Sequence, residues 1–160
     1  MATPLPRECY DSDEEYLRSF WIISEFGISD PDDRLFFKNW FMGLHGDSKC
    51  PQEDREVAHL KALPESGIVV YRGYCQIHGS LRGMRWSPDR KCAELFALRA
   101  DLFSVPRHGS KGQPVIATLK VRRDEIAAVL LDREVEYVIP EFSGTPTIEP
   151  FIKEDQRDGH

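Results

Sequence analysis

The chain has 160 residues, 41% of them hydrophobic, which is enough for one domain with a buried core. No apolar run approaches the roughly 18 residues that span a bilayer, and the polar, acidic start at 1–13 does not resemble a signal peptide, so a cytoplasmic protein is expected. The four cysteines are widely spaced and the five histidines show no ligand pairing, so we expect free thiols and no metal site.

Charge is distributed unevenly along the chain. Residues 72–123 carry 11 basic and 3 acidic side chains, a local balance of +8, whereas the whole chain has a net charge of −6. A basic segment between acidic ends suits an anionic ligand. The same count also fits a solvated face whose charges happen to cluster, so it indicates function only if this segment carries a site.

Residues 1–65 are predicted to form helices. Ser12 and Glu15 have the spacing of a capping box, which begins a first helix. The apolar face of that helix consists of Leu17, Phe20, Trp21 and Ile23. A second helix is predicted over 35–44, and a third begins at Pro51 and ends near Leu63. The aromatic residues of the second helix are interpreted as core rather than as a ligand groove.

From Gly67 onward the sequence is mostly typical of β-structure. One helix is predicted there, with Ser87 as its N-cap and Pro88 as its first residue. Strands are predicted at 68–71, 115–121, 126–131 and 135–139, and a loop at 106–113. The fold class is therefore α+β, in a single domain. Its parts are a helical part (1–65), a β core (67–140) and a loosely ordered tail (141–160).

Three short segments of the β core carry residues suited to chemistry. They are V-Y-R-G (70–73), R-W-S-P-D followed by A-E-L-F-A (85–97), and E-V-E-Y-V-I-P (134–140). Each has a simple structural explanation. Arg72 can form a surface ion pair and Ser87 can cap a helix, while Glu134 and Glu136 alternate along a strand and so share one side of it.

Together and in this order, the segments resemble the ADP-ribosyltransferase superfamily of the arginine–serine–glutamate type. That family has an arginine ending one strand, a Ser-x-Ser or Ser-x-Thr strand leading into a helix, and a Glu-x-Glu or Gln-x-Glu that continues as an apolar strand. The resemblance covers about residues 68–140, and E-V-E-Y-V-I-P is its most specific part. It implies a split, mostly antiparallel β core with the helical part packed on it, and NAD as a substrate without a metal.

The resemblance also implies roles on the NAD side. Cleavage of the nicotinamide–ribose bond passes through an oxocarbenium-like state, which Glu136 would stabilise while holding a ribose hydroxyl. Arg72 offers the planar charged fork that suits two phosphates. Ser87 would bind the nicotinamide-side ribose or orient Glu136. The alternatives for stacking on the nicotinamide ring are Tyr71, Tyr74 and Trp86.

On the acceptor side, Glu134 holds the family position that orients the nucleophile or takes its proton. The Glu-x-Glu form goes with arginine acceptors more often than Gln-x-Glu does, which favours protein arginine. Arg85 departs from the family pattern, because it stands where the first serine of Ser-x-Ser would be. Its two interpretations are a second phosphate or acceptor contact and a lapsed active site.

Other functions fit parts of the same pattern. The basic residues between Arg82 and Arg123 would also follow a nucleic-acid backbone, which makes RNA or DNA an alternative acceptor. An NAD glycohydrolase would use water instead, and a non-catalytic binding module would keep only the fold. The resemblance suggests a role as a toxin, a phage-encoded host modifier or a delivered effector. Every enzymatic version requires Arg72, Ser87 and Glu136 to converge on one cleft.

Overall fold

The computed structural model describes residues 5–23, 31–43, 50–75, 83–103 and 113–152. Within these ranges the chain is mixed α+β, as predicted. The helices are α1 (Asp13–Ile23), α2 (Pro31–Phe41), α3 (Asp54–Ala62) and α4 (Arg90–Phe103). The strands are β1 (Ile68–Cys75), β2 (Arg85–Trp86), β3 (Pro114–Val121), β4 (Ala128–Leu130), β5 (Glu136–Val138) and β6 (Thr147–Pro150). No helix in the described ranges is both long and apolar enough to cross a membrane.

The strands form two antiparallel sheets of three strands each, in the orders β1-β3-β6 and β2-β5-β4. One isolated bridge joins them, between Tyr71 of β1 and Ser87, which directly follows β2. Its two backbone hydrogen bonds measure 2.7 and 2.9 Å. The strands therefore follow one another across the junction as β4-β5-β2-β1-β3-β6, and β5, β2 and β1 are neighbours there.

Helices α1 and α2 pack on the second sheet through their aromatic residues. The Glu15 N–H donates to Ser12 Oγ at 3.1 Å, so the predicted cap at the start of α1 is confirmed. The buried cluster between these helices and the sheet contains Trp21, Phe37, Trp40, Phe41, Met84, Ala128, Leu130 and Val138. The interpretation of the aromatic residues of the second helix as core is thus confirmed for Phe37, Trp40 and Phe41, whereas Phe36 is exposed.

Helix α4 lies directly on β1. A Cβ atom at Gly73 would lie 1.7 Å from the backbone oxygen of Ala93, so only glycine allows this approach. A second hydrophobic core lies between the sheets and beneath α3, and includes Val70, Trp86, Leu119, Val129, Tyr137 and Ile139. The glycine of Y-R-G therefore has a packing reason that is independent of any chemistry.

A buried ion pair joins the helical part to the β core. Glu56 of α3 is fully buried, and Nη2 of Arg18 on α1 donates to its two carboxylate oxygens at 2.7 and 2.8 Å. The same carboxylate accepts the N–H of Glu53 at 3.0 Å and of Leu131, just after β4, at 2.8 Å. One side chain thus ties together α1, α3 and the end of a strand.

Several helix boundaries differ from the prediction, and helix α2 begins at Pro31 rather than at residue 35. Helix α3 begins at Asp54 rather than at Pro51, because Glu53 and Glu56 form the turn that opens it. Helix α2 ends at Phe41 rather than at residue 44, because Gly43 takes a φ of 69°, which ends a helix readily.

The predicted cap of α4 is also corrected. The helix begins at Arg90, and the carboxylate of Asp89 accepts the Lys91 N–H at 2.9 Å. Asp89 therefore caps it, two residues after the predicted Ser87, and Pro88 precedes the helix. The Ser87 backbone is committed instead to the bridge with Tyr71.

The tail prediction is wrong for Thr147–Pro150, which forms β6 and pairs with residues 115–118 of β3. All four residues of β6 are exposed, so backbone pairing holds this strand and its sequence carries no burial pattern. Strand β1 extends to Cys75, beyond the predicted 68–71. Residues 104–112, which hold most of the predicted loop, and 153–160 lie outside the described ranges.

We predict that Glu56→Ala destabilises the fold strongly. It would leave Arg18, whose side chain is 11% exposed, without its main counter-charge, and a broken buried pair of this kind costs about 3–5 kcal/mol. Urea unfolding followed by circular dichroism measures the loss. The matched control is Asp124→Ala, which removes a carboxylate from a pair with 62% and 72% exposed side chains and should change stability by less than about 0.5 kcal/mol. Equal effects of the two variants would contradict the role of Glu56.

Candidate active site

An open cleft of about 190 Å³ lies where α1, α4 and the second sheet meet. Its lining combines three carboxylates, two guanidinium groups and three apolar side chains, namely Asp132, Glu134, Glu136, Arg85, Arg133, Ile22, Phe96 and Leu130. The two predicted catalytic glutamates are both present. Acids and cations that meet in one cleft make it a candidate for a binding or active site.

Glu136 is the first residue of β5, and two groups hold its carboxylate. The indole Nε1–H of Trp21 donates to Oε1 at 2.7 Å. Nη1 of Arg85 lies 3.7 Å from Oε2, and the guanidinium carbon of Arg85 is 4.6 Å from the centre of the Trp21 ring. The side chain of Glu136 is 14% exposed. The carboxylate therefore lies at the wall of the cleft in a fixed orientation.

Arg85 points into the cleft towards Glu136. Its guanidinium is only 12% exposed and stacks on Trp21. It thus occupies space beside the carboxylate, where the resembled family has a smaller serine. This placement relates Arg85 to Glu136 directly.

Arg72 reaches the same strand from the other sheet. Its Nη1 donates to the backbone oxygen of Arg85 at 3.0 Å. A Cβ atom at Gly83 would lie 1.8 Å from Nη2 of Arg72, so the guanidinium packs closely over that glycine. Arg72 and Arg85 therefore meet at β2, although Arg72 is not part of the cleft lining that the described residues form.

Ser87 directly follows β2, which lies between β1 and β5. Strand β2 pairs with β5 so that Arg85 is opposite Val138 and Trp86 is opposite Tyr137. Continuing this register by one residue brings Ser87 beside Glu136. Ser87 is buried, and its Oγ accepts the N–H of Asp89 at 3.1 Å. Arg72 on β1, Ser87 just after β2 and Glu136 on β5 therefore lie at one junction of neighbouring strands, but of the three only Glu136 lines the cleft that the described residues form.

Glu134 lies in the connection before β5, not on the strand itself, so the predicted alternation of two glutamates along one strand is wrong. It nevertheless lines the same cleft as Glu136. Glu134 also lies near the Cys92 thiol. Burial raises the pKa of Cys92, and the charge of Glu134 raises it further. This thiol stays protonated at neutral pH, which argues against a cysteine nucleophile here.

The aromatic residues expected to stack on nicotinamide pack into the core instead. Trp86 is 2% exposed, and its Nε1–H donates to the backbone oxygen of Gly83 at 3.2 Å. Tyr74 is buried in the same core, and Tyr71 packs against the cluster beneath α4. The structure does not bring these rings to the cleft lining as the described residues define it.

The sequence did not identify Trp21 as a site residue, nor Asp132 and Arg133 of the cleft lining. Trp21 was interpreted as core, and it is core, with 2% exposure. The sequence offered only a general signal for such a role, because any buried indole N–H needs a hydrogen-bond acceptor. That acceptor is 115 residues away, so local spacing could not identify it.

The described residues contain no group of three or more histidine, cysteine, aspartate or glutamate side chains that could hold a metal ion. Burial raises the pKa of Cys50 to about 12, so this thiol is also protonated at neutral pH. No known protein family, curated protein or solved structure matches this chain. The site is therefore interpreted from its own residues and their geometry.

Proposed function

We propose that the protein is an NAD-dependent mono-ADP-ribosyltransferase. It releases nicotinamide and transfers ADP-ribose to a macromolecular acceptor, with protein arginine favoured over nucleic acid. The observation that supports the proposal is that Arg72, Ser87 and Glu136 lie on or next to three neighbouring strands, which the bridge at Ser87 and the Arg72–Arg85 hydrogen bond connect. These are the three residues on which the family resemblance rests.

The position of Glu136 suits the bond-breaking step. As the nicotinamide–ribose bond breaks, positive charge develops on the ribose, and a fixed carboxylate stabilises it without having to reorient. Trp21 and Arg85 provide that fixation from two sides. Oε2, which is 3.7 Å from Arg85, is the oxygen that a ribose hydroxyl would bind.

Arg85 on β2 and Arg72, whose guanidinium contacts β2, suit the anionic part of NAD. A planar guanidinium matches two phosphate oxygens better than an ammonium group does. The guanidinium of Arg72 contacts the backbone of Arg85, so the two arginines are neighbours in the fold. They also belong to the segment 72–123, which has a local charge balance of +8.

The charges around the cleft favour a cationic acceptor. Asp132 and Glu134 line the cleft beside Glu136, against Arg85 and Arg133. Three carboxylates against two guanidinium groups leave the cleft lining with one net negative charge, which favours a cationic side chain over a polyanionic backbone. Glu134 is placed to orient the attacking guanidinium nitrogen or accept its proton. This supports protein arginine over RNA or DNA as the acceptor.

We predict that Glu136→Gln lowers nicotinamide release from NAD by at least about 100-fold, because the amide cannot stabilise the developing charge. Glutamine keeps an oxygen that accepts the Trp21 N–H but removes the charge that faces Arg85 at 3.7 Å, so the protein should stay folded with a lower thermal unfolding midpoint. The control is Glu141→Gln, an exposed carboxylate paired with Lys38, which should keep full activity. Unchanged release in Glu136→Gln would refute the catalytic assignment.

The same assay identifies the acceptor. Wild-type protein is incubated with NAD labelled in the adenylate and a cell lysate, and the products are then digested separately with protease and nuclease. Label removed by protease alone is the expected result. Label removed by nuclease would replace the protein acceptor with a nucleic acid, and free ADP-ribose as the sole product would indicate a glycohydrolase.

We predict that Gly83→Ala weakens NAD use without unfolding the protein. The added methyl group would meet the end of the Arg72 side chain, which is flexible and can move away. Arg72 would then lose its proposed contact with the phosphates of NAD. A lost charge-assisted hydrogen bond corresponds to roughly a tenfold or larger rise in KM for NAD. The control is Gly144→Ala, an exposed glycine near Lys120. Equal KM values in the two variants would contradict the assignment of Arg72.

A further inference from the structure

We infer that Trp21 is a positioning residue for Glu136, which makes helix α1 part of the active site. The inference rests on the proposed function, because Glu136 is the reacting carboxylate only if that function holds. It assigns a role to the N-terminal helical part that the family resemblance, confined to residues 68–140, does not cover.

The contact has the features of an orienting hydrogen bond. The Trp21 Nε1–H to Glu136 Oε1 distance is 2.7 Å, which is short for an N–H···O bond and typical of a charged acceptor. Trp21 is 2% exposed, so water competes little for either partner. With Oε1 held in this way, Oε2 is the oxygen that remains directed towards Arg85 and the cleft.

The direction of the indole N–H is itself fixed by packing. The centre of the Trp21 ring lies 5.4 Å from that of Phe37 and 4.7 Å from that of Phe41, both on α2. Arg85 lies over the same indole at 4.6 Å. These three neighbours therefore set the orientation of Trp21, and Trp21 sets that of the carboxylate. A small shift in α1 would turn the carboxylate relative to the ribose.

A structural explanation competes with this one, since a buried indole N–H requires an acceptor for stability alone. Trp40 separates the two explanations. It is fully buried in the same cluster, and its Nε1 has no hydrogen-bond partner among the residues the structure describes. Trp40→Phe thus replaces an indole of the same cluster by a phenyl ring and leaves the contact between Trp21 and Glu136 in place.

The experiment compares Trp21→Phe with Trp40→Phe in nicotinamide release and thermal unfolding. Phenylalanine keeps a ring beneath Arg85 but removes the N–H. Both variants should unfold at lower temperature. Only Trp21→Phe should lose kcat, by about tenfold to one hundredfold, the equivalent of one hydrogen bond to a charged group, while KM for NAD changes by less than about twofold. Equal kcat in the two variants would overturn the proposal.

A second readout does not depend on activity. The indole N–H signals of Trp21, Trp40 and Trp86 are resolved by ¹⁵N–¹H NMR and assigned with the two variants. Glu136→Gln should shift the Trp21 signal and leave the other two unchanged, and an unmoved Trp21 signal would refute the contact. A wild-type protein that releases no nicotinamide refutes the proposed function and the catalytic role of Trp21 together, while the NMR result decides separately whether the contact exists.

Discussion

The hydrogen bond between Trp21 and Glu136 is the interaction on which the site depends, because it fixes the key carboxylate from outside the sheet. Arg18, three residues earlier on α1, binds Glu56 and also Asp132 at 3.2 Å. Residues three apart share a helix face. One face of α1 therefore holds both ends of the connection between β4 and β5, and that connection carries Glu134. The helical part thereby determines where both glutamates lie.

Two glycines set the spacing on the other side of the site. Gly73 allows α4 to approach β1, and Gly83 leaves room for the guanidinium of Arg72. Arg72 can reach β2 in this way only because position 83 lacks a Cβ atom. Within Y-R-G, the glycine is therefore required for packing and the arginine for the proposed chemistry. This combination explains why a functional interpretation of Y-R-G by itself is weak and becomes stronger once β2 is placed beside it.

Much of the fold could be predicted from local sequence signals. The cap at Ser12, the apolar face of α1 and the β-branched run that begins β1 identified elements of the right type. Capping at Asp89 instead of Ser87 was missed, because a serine two residues upstream satisfies the same rule and only the bridge to Tyr71 distinguishes them. Strand β6 was missed because all four of its residues are exposed, so its sequence shows no alternation of buried and exposed positions.

The candidate site was predictable only in part, for a related reason. Arg72, Ser87 and Glu136 were identified through motifs, and β-pairing brings their strands together. Trp21 was not identified, since its acceptor is distant in sequence and its burial looks like ordinary core. Trp86 was misjudged because alternation along a two-residue strand does not reveal which face is the core. Contacts between residues that are distant in sequence decided which of these residues belong to the candidate site and which to the core.

The most direct test of the central claim is a crystal structure of the Glu136→Gln variant soaked with intact NAD. The account predicts one dinucleotide bound across the junction of the sheets, with a ribose hydroxyl beside position 136 and the phosphates at the guanidinium of Arg72. NAD bound elsewhere on the protein, or no NAD at saturating concentration, would contradict it.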